Sequence, residues 1–249
     1  MKVKIYSFGY FKLALDMLGA LLCVLLCIAV SFSFMLGAVT EGEFVLTSSE
    51  LASPLIVIDA GHGGEDVGAV GVNGVYEKDL NLQFAILLGE MLCEEGYNVF
   101  YTRTEDKLLY KEEENIKGIR KISDLKNRAA IVNEKMPVMF ISIHMNYFSV
   151  EKYSGLEVYY RLGDPESQML AHDISSEVKL SVDSENKRTP KGTEDLYLLK
   201  NTSCPAVLVE CGFLSNGAEC EKLCEKEYQK RLCFAIICGM IKYESRNVS

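Results

Sequence analysis

The chain has 249 residues, 49% of them hydrophobic, with a formal net charge of −9 and a pI of about 5.0. That balance argues against a nucleic-acid binder, whose affinity comes from neutralising phosphates. The length fits one sizeable domain plus an extra segment.

Residues 1–16 carry Lys2, Lys4 and Lys12 against a single Asp16. Residues 17–40 carry no charge, and Glu41, Glu43 and Glu50 follow. A run of that length crosses a bilayer of roughly 30 Å as a helix. The charge distribution predicts a cytoplasmic N-terminus, a membrane anchor at 17–40 and the remainder outside. A cleaved secretory signal is the rival reading, though its apolar core is usually ~7–15 residues and ends in a small-x-small site. Leu36-Gly37-Ala38 is a poor site of that kind. A buried core helix is the third reading. Residues 41–53 read as a short acidic, serine-containing linker, and residues 54–243 as a single folded domain.

Residues 55–59 form a short, continuous, β-branched apolar run, which predicts a buried strand. The run stops at Asp59, and a glycine-rich stretch follows. Residues 78–93 predict a helix with an apolar stripe at Leu80, Leu87, Leu88 and Met91, with Gly96 as its C-terminal cap. Residues 97–102 predict a strand, 105–122 a charged exposed loop, and 124–134 a helix ending before Pro137. Strands are expected at 138–143 and 156–160, a helix at 165–182 and a polar loop at 183–194. Two more strands are expected at 196–199 and 206–209. Asn216 with Glu219 reads as a capping box for a short helix, and the last helix spans 227–243. Strands alternate with helices, and the strands are continuous apolar runs. This predicts an α/β fold with a mostly parallel or mixed sheet flanked by helices on both faces.

Seven of the nine cysteines lie beyond the apolar N-terminal run, at 93, 204, 211, 220, 224, 233 and 238. Their neighbours are apolar or helical, and no CxxC pair occurs, so they read as small buried residues with free thiols.

Sites in open α/β sheets form beyond the carboxyl ends of strands. His62 follows the first strand, His144 follows the run VMFISI, and Glu210 follows the run AVLV. The chain has three histidines, and two stand at strand ends. The third, His172, reads as an exposed helical residue. Glu77 sits where the glycine-rich loop meets the first helix. Two imidazoles and a carboxylate form a known catalytic zinc set, with water in the remaining position. A second carboxylate, Glu210, is placed to take a proton from that water and pass it on. The glycines let the backbone turn tightly and leave room above the sheet. A phosphate cradle is a competing reading of the same glycines, but Glu65 and Asp66 would repel phosphate. Cys211 is a poor nucleophile candidate, because strand alternation points it away from Glu210.

The stretches DAGHGGEDVGAVG, EKDLNL, SIHMN and VECGFLSN, in that order, resemble the zinc-dependent N-acetylmuramoyl-L-alanine amidases, the type-3 amidase family. The resemblance covers roughly residues 54–243. It implies Zn2+ held by His62, Glu77 and His144, with Glu210 as the catalytic carboxylate. It makes Asn146 a residue placed to support a ligand from behind. Within the family the resemblance is nearest to sporulation amidases, which share an N-terminal membrane segment and a bare catalytic domain. The stretch NIKGIRKISDLKNRAAIVN also looks like its counterpart there.

The resemblance also implies a biological setting. The substrate would be spore-cortex peptidoglycan, with removal of the stem peptide as the first step towards muramic δ-lactam. The domain would act outside the cytoplasm, in the space between the forespore membranes. Val67 and Cys211 depart from the residues many relatives carry, and neither departure removes a ligand. Some relatives place an inhibitory helix between the second histidine and the glutamate. Positions 145–209 leave little room for one, so control is expected from expression timing or an activating partner protein. The rival functions are a zinc peptidase or carboxypeptidase acting on wall peptides, and a catalytically silent wall-binding regulator.

Overall fold

The structure, a computed structural model, describes residues 53–116 and 119–247. The expected anchor at 17–40 lies outside the described residues. Among the described residues no helix is long and apolar enough to cross a membrane.

Six strands form one mixed sheet. They are β1 (Leu55–Ala60), β2 (Asn98–Tyr101), β3 (Met139–Asn146), β4 (Glu157–Arg161), β5 (Lys191–Thr193) and β6 (Ala206–Phe213). Their order across the sheet is β2-β1-β3-β6-β4-β5. Every neighbouring pair is parallel except β4 against β6, which run antiparallel. The helices are α1 (Glu77–Glu94), α2 (Arg120–Lys135), α3 (Pro165–Ser181), α4 (Tyr197–Asn201), α5 (Gly217–Cys224) and α6 (Lys226–Asn247).

Strand alternation divides the core in two. Ile56, Ile58, Ile141, Ile143, Val207 and Val209 point to one face and meet Phe84 and Leu88 of α1, Ile174 of α3 and Ile236 of α6. Val57, Phe140, Ala206 and Leu208 point to the other and meet Ala129 and Val132 of α2 and Leu198 and Leu199 of α4. Helices therefore cover both faces, as the continuous apolar strands require. The second face is the smaller core, and it carries the polar residues described below.

Local chemistry sets the helix ends. Gly96 (φ +91°) follows α1. Its N–H bonds Cys93 O, and the Tyr97 N–H bonds Leu92 O. That pairing is a Schellman motif. Helix α2 stops at Met136, left-handed at φ +47° and followed by Pro137. Asp164 caps α3, with Pro165 at its first position.

Three expectations need correction. Residues 196–199 are not a strand; the chain enters α4 there, and the edge strand is Lys191–Thr193. A short apolar run fits strand or helix equally by periodicity. Here Leu198 and Leu199 reach the smaller core together from one helical turn, and Thr202 Oγ1 bonds back to Leu198 O. Helix α2 begins at Arg120, inside the stretch expected as exposed loop. That loop is also anchored, because Leu109 N donates to Asp124 Oδ1 (2.7 Å) and Asn127 bonds Leu109 O. Finally, Asn216 caps α5, but Glu219 does not reach back to it. Its carboxylate accepts from Phe213 N and Gly155 N instead (both 2.7 Å).

The cysteines divide. Cys204, Cys211, Cys220 and Cys233 are buried, Cys238 is half-buried, and Cys93 and Cys224 are exposed. All seven thiols are free.

Candidate metal centre and active site

The chain leaves β1 through a turn that a single glycine makes room for. A Cβ on Gly61 would stand 2.2 Å from the His144 ring, so only glycine lets that imidazole lie against the backbone. His62 follows with φ +62°, a conformation that non-glycine residues seldom adopt. Gly63 and Asp66 exchange backbone hydrogen bonds of 3.0 Å, and the turn they close brings the Asp66 carboxylate under the ring. His62 Nδ1 meets Asp66 Oδ2 at 2.9 Å. Its other nitrogen, Nε2, faces Glu77 Oε1 at 3.2 Å.

Glu77 opens α1. Its Oε2 accepts from Ala69 N (2.8 Å), and Gly68 keeps that side open, since a Cβ there would fall 2.5 Å from Oε2. Its Oε1 faces His144 Nδ1 at 3.0 Å and also accepts from Met145 N (3.2 Å) and Asn81 Nδ2 (3.3 Å). The two imidazole rings lie 5.1 Å apart, edge to face. The structure thus brings together all three expected ligands, with donor atoms within 4.8 Å of one another.

Glu210 lies on β6 in Cα register with His144 on β3. Both strands run past these residues, so the two groups sit within the sheet rather than just beyond its strands. The Glu210 Oε2 is buried and has no hydrogen-bond partner among the described residues. Asn146 ends β3 two residues after His144, and its carbonyl accepts from Leu214 N (2.8 Å). His172 is exposed on α3, away from the cluster. Cys211 faces the larger core, where burial pushes its thiol well above the ordinary range; it is no nucleophile.

The electrostatics describe a place that favours added positive charge. Burial opposes a charged His62, yet hydrogen bonds to Asp66 and Glu77 push its pKa up to about 9. Burial would raise Glu77, but the imidazoles of His144 and His62 hold it far below the ordinary carboxylate range. Glu210 behaves oppositely: burial pushes it up to about 7, against the pull of His144 and with a further push from Glu77. Two imidazoles and one carboxylate turned to a common point are the donor chemistry of zinc. The Asp66 carboxylate behind His62 supplies the partner that metal-binding imidazoles usually have. The residues present fit a zinc ion.

Sequence reasoning missed four residues of this neighbourhood. Asp66 was legible only as a negative charge. Asp59, Arg103 and Arg128 form buried ion pairs and hydrogen bonds behind the glycine loop. Asp59 accepts from Arg128, Thr102 and Ser142 at 2.6–2.7 Å. Asp124 and Arg128 gave a signal, since both fall on the strip of α2 that otherwise carries Val132. Charged residues at core positions of a helix need partners.

A cavity of about 240 Å3 opens beside the cluster. It runs between α2 and the start of α4, with His62 and His144 on one side and Lys121, Leu125, Tyr197 and Leu208 among its other lining residues.

A family model described as N-acetylmuramoyl-L-alanine amidase matches residues 56–242. The germination-specific N-acetylmuramoyl-L-alanine amidase of Bacillus subtilis (strain 168) is 33% identical over 196 residues, spanning 79% of this chain and 82% of that one. The CwlD amidase from Clostridioides difficile, solved in complex with the GerS lipoprotein, is 41% identical with a TM-score of 0.75. It covers 78% of this chain and 99% of that one. An N-acetylmuramoyl-L-alanine amidase from Clostridium difficile 630 is 29% identical with a TM-score of 0.68, covering 78% of this chain and 97% of that one.

Proposed function

Because the chain belongs to the N-acetylmuramoyl-L-alanine amidase family, we propose that it is a zinc hydrolase that cuts the amide between muramic acid and L-alanine in spore-cortex peptidoglycan. The cell-wall amidase activity follows from the family and from relatives of that activity. The zinc, the individual roles of residues and the sporulation setting are the further reading. The observation that carries it is the unpartnered, buried Glu210 Oε2 on the strand next to a cluster of two histidines and a glutamate.

His62, Glu77 and His144 are the ligands in this reading. Bound zinc supplies Lewis-acid polarisation of the scissile carbonyl and lowers the pKa of water. Glu77 turns Oε1 to both imidazoles, and the Ala69 N–H to Oε2 fixes the carboxylate in that orientation. Asp66 fixes the tautomer of His62 by occupying Nδ1, which leaves Nε2 as the ligand atom. Glu210 takes the proton of the attacking water at Oε2 and returns it to the departing alanine nitrogen. Burial raises its pKa, and a carboxylate that both takes and returns a proton works best with a pKa near the operating pH. Asn146 supports the His144 end of the cluster from the strand terminus.

The setting is part of the same proposal. Residues 54–243 form the catalytic domain. Residues 17–40 anchor it to a membrane, with the domain on the extracytoplasmic side, where the substrate lies. The relative from Clostridioides difficile was solved with a lipoprotein, which supports an activating protein partner for this chain too.

The test is digestion of purified peptidoglycan by the purified chain, with zinc and with chelator, read by mass spectrometry. Zinc-dependent release of stem peptides that begin with L-alanine, leaving peptide-free muramic acid, is the expected result. Shortened peptides still attached to muramic acid would instead mean a peptidase. A zinc-loaded chain that releases nothing, either alone or with extract of sporulating cells added to supply an activating partner, would mean a wall-binding regulator. Spores lacking the chain should also lack muramic δ-lactam, and unchanged lactam content would remove the cortex role.

A further inference from the structure

Two buried guanidiniums end on one short stretch of backbone. Arg103, 2% exposed, donates Nε to Ala60 O (2.8 Å) and Nη2 to Gly61 O (2.9 Å). The same Nη2 also bonds Lys78 O (2.8 Å). Arg128, 1% exposed, donates Nη1 to Ala60 O (2.7 Å) and Nη2 to His62 O (2.8 Å). The carbonyls of three consecutive residues, 60–62, are therefore all held by arginine. One Arg103 nitrogen joins the segment carrying His62 to the residue beside Glu77.

This is an unusual use of charge. Burying a guanidinium is costly unless its donors are met and a counter-charge is at hand. Every nitrogen of both guanidiniums has a hydrogen-bond partner, Arg103 on backbone carbonyls alone and Arg128 on carbonyls and two carboxylates. Arg128 pairs with Asp59 and Asp124 at 2.7 Å each. The rigid fork of the guanidinium also suits several carbonyls at fixed angles, which one lysine ammonium cannot match. An apolar side chain would fill the space under the sheet without any of this. What it could not do is hold His62 at φ +62° with Nε2 turned to Glu77.

We propose that Arg103 and Arg128 are positioning residues for metal binding: by holding the carbonyls of Ala60, Gly61 and His62 they fix the left-handed turn that aims His62, and so set the zinc affinity. The proposal rests on the reading of His62 as a ligand. Neither arginine touches the reacting atoms. Their effect passes through the backbone, so it is visible in metal affinity separately from fold stability.

The experiment compares Arg103→Lys and Arg128→Lys with the parent chain, each at a temperature where circular dichroism shows it fully folded. Zn2+ affinity is read by competition with a chelating dye, and ligand geometry by the visible absorption of the Co2+ form. A Val178→Ala variant, altered in the larger core on α3, serves as the control for lost stability. The expected result is zinc binding weakened roughly ten-fold to hundred-fold in the lysine variants, with an altered Co2+ spectrum, while the control melts earlier but keeps parental affinity and spectrum. Lysine variants that melt earlier yet bind both metals as the parent does would overturn the proposal. If Arg128→Lys does not fold, Arg103→Lys decides, because it leaves the Asp59–Arg128–Asp124 pairs whole. A parent chain that binds no zinc, or a His62→Ala variant that binds it as tightly, would sink the ligand reading itself. Parental zinc binding with unchanged lysine variants would sink only the present proposal.

Discussion

Glu210 and His144 face each other across neighbouring parallel strands, with their Cα positions in register. The proposed base and one proposed metal ligand are thereby fixed by backbone pairing rather than by loop conformation. Glu210→Gln keeps the shape and removes the base. Zinc content of the variant should match the parent, and turnover of peptidoglycan should fall by about a thousand-fold. Metal analysis beside a mass-spectrometric rate measurement checks both halves. A near-parental rate would remove Glu210 from the chemistry.

The same glutamate should make the metal-free protein sensitive to pH. Its folded pKa is raised from 4.5 to about 7, chiefly by burial. Between those values the folded state holds a proton that the unfolded state has lost, so stability falls as pH rises through that window. Glu210→Gln cannot ionise and escapes the loss. In chelator the variant should be more stable than the parent at pH 8, by an amount on the order of 3 kcal/mol. The gap should close as pH drops towards 4.5. A gap that widens at low pH would contradict the assignment.

Gly61→Ala tests the close approach of backbone to ring. The added methyl would lie 2.2 Å from His144 atoms, so the imidazole must move away from Glu77. Zinc affinity should fall by at least about ten-fold. The loss of melting temperature measured in chelator should be small beside that of a core truncation. Equal zinc binding by the variant and the parent would show that the ring does not need this contact.

Metal removal should lower stability only where the ligand set is intact. A ligand bound to the native state alone adds about 4 kcal/mol at a thousand-fold excess over its Kd. Chelation should therefore lower the melting temperature of the parent markedly and that of His144→Ala hardly at all. Calorimetry with and without chelator reads the difference. A similar drop in both would mean that zinc binds elsewhere.

The sequence revealed what each residue does alone and little of what residues do together. Buried strands announced themselves through continuous β-branched runs, and His62, His144 and Glu210 stood out because polar side chains interrupted or ended those runs. Helix α4 was illegible because four apolar or aromatic residues in a row satisfy either periodicity. Asp66 looked like a surface charge, since nothing local shows that a tight turn would fold it back under His62. Arg103 and Arg128 were hidden for another reason. Their partners at residues 60–62 lie more than forty positions away in the chain, and only the packing of α2 and the end of β2 beside the glycine turn brings them into contact.

The division of the cluster between sheet and turn has a consequence for how it fails. Glu210 and His144 belong to the central β3–β6 pair, whose amides should open only when the whole domain does. His62 and Glu77 flank a glycine-rich turn held by hydrogen bonds from Arg103 and Arg128 rather than by the strand ladder, so it should open in smaller steps than the sheet does. On the proposed reading two clocks therefore run within one centre, a slow one for the base and His144 and a faster one for the other two of the three ligands. Loss of the proposed ion should then be an early, reversible step that precedes denaturation. A preparation stripped of it should be inactive while retaining its full secondary structure, and should regain activity when the ion returns.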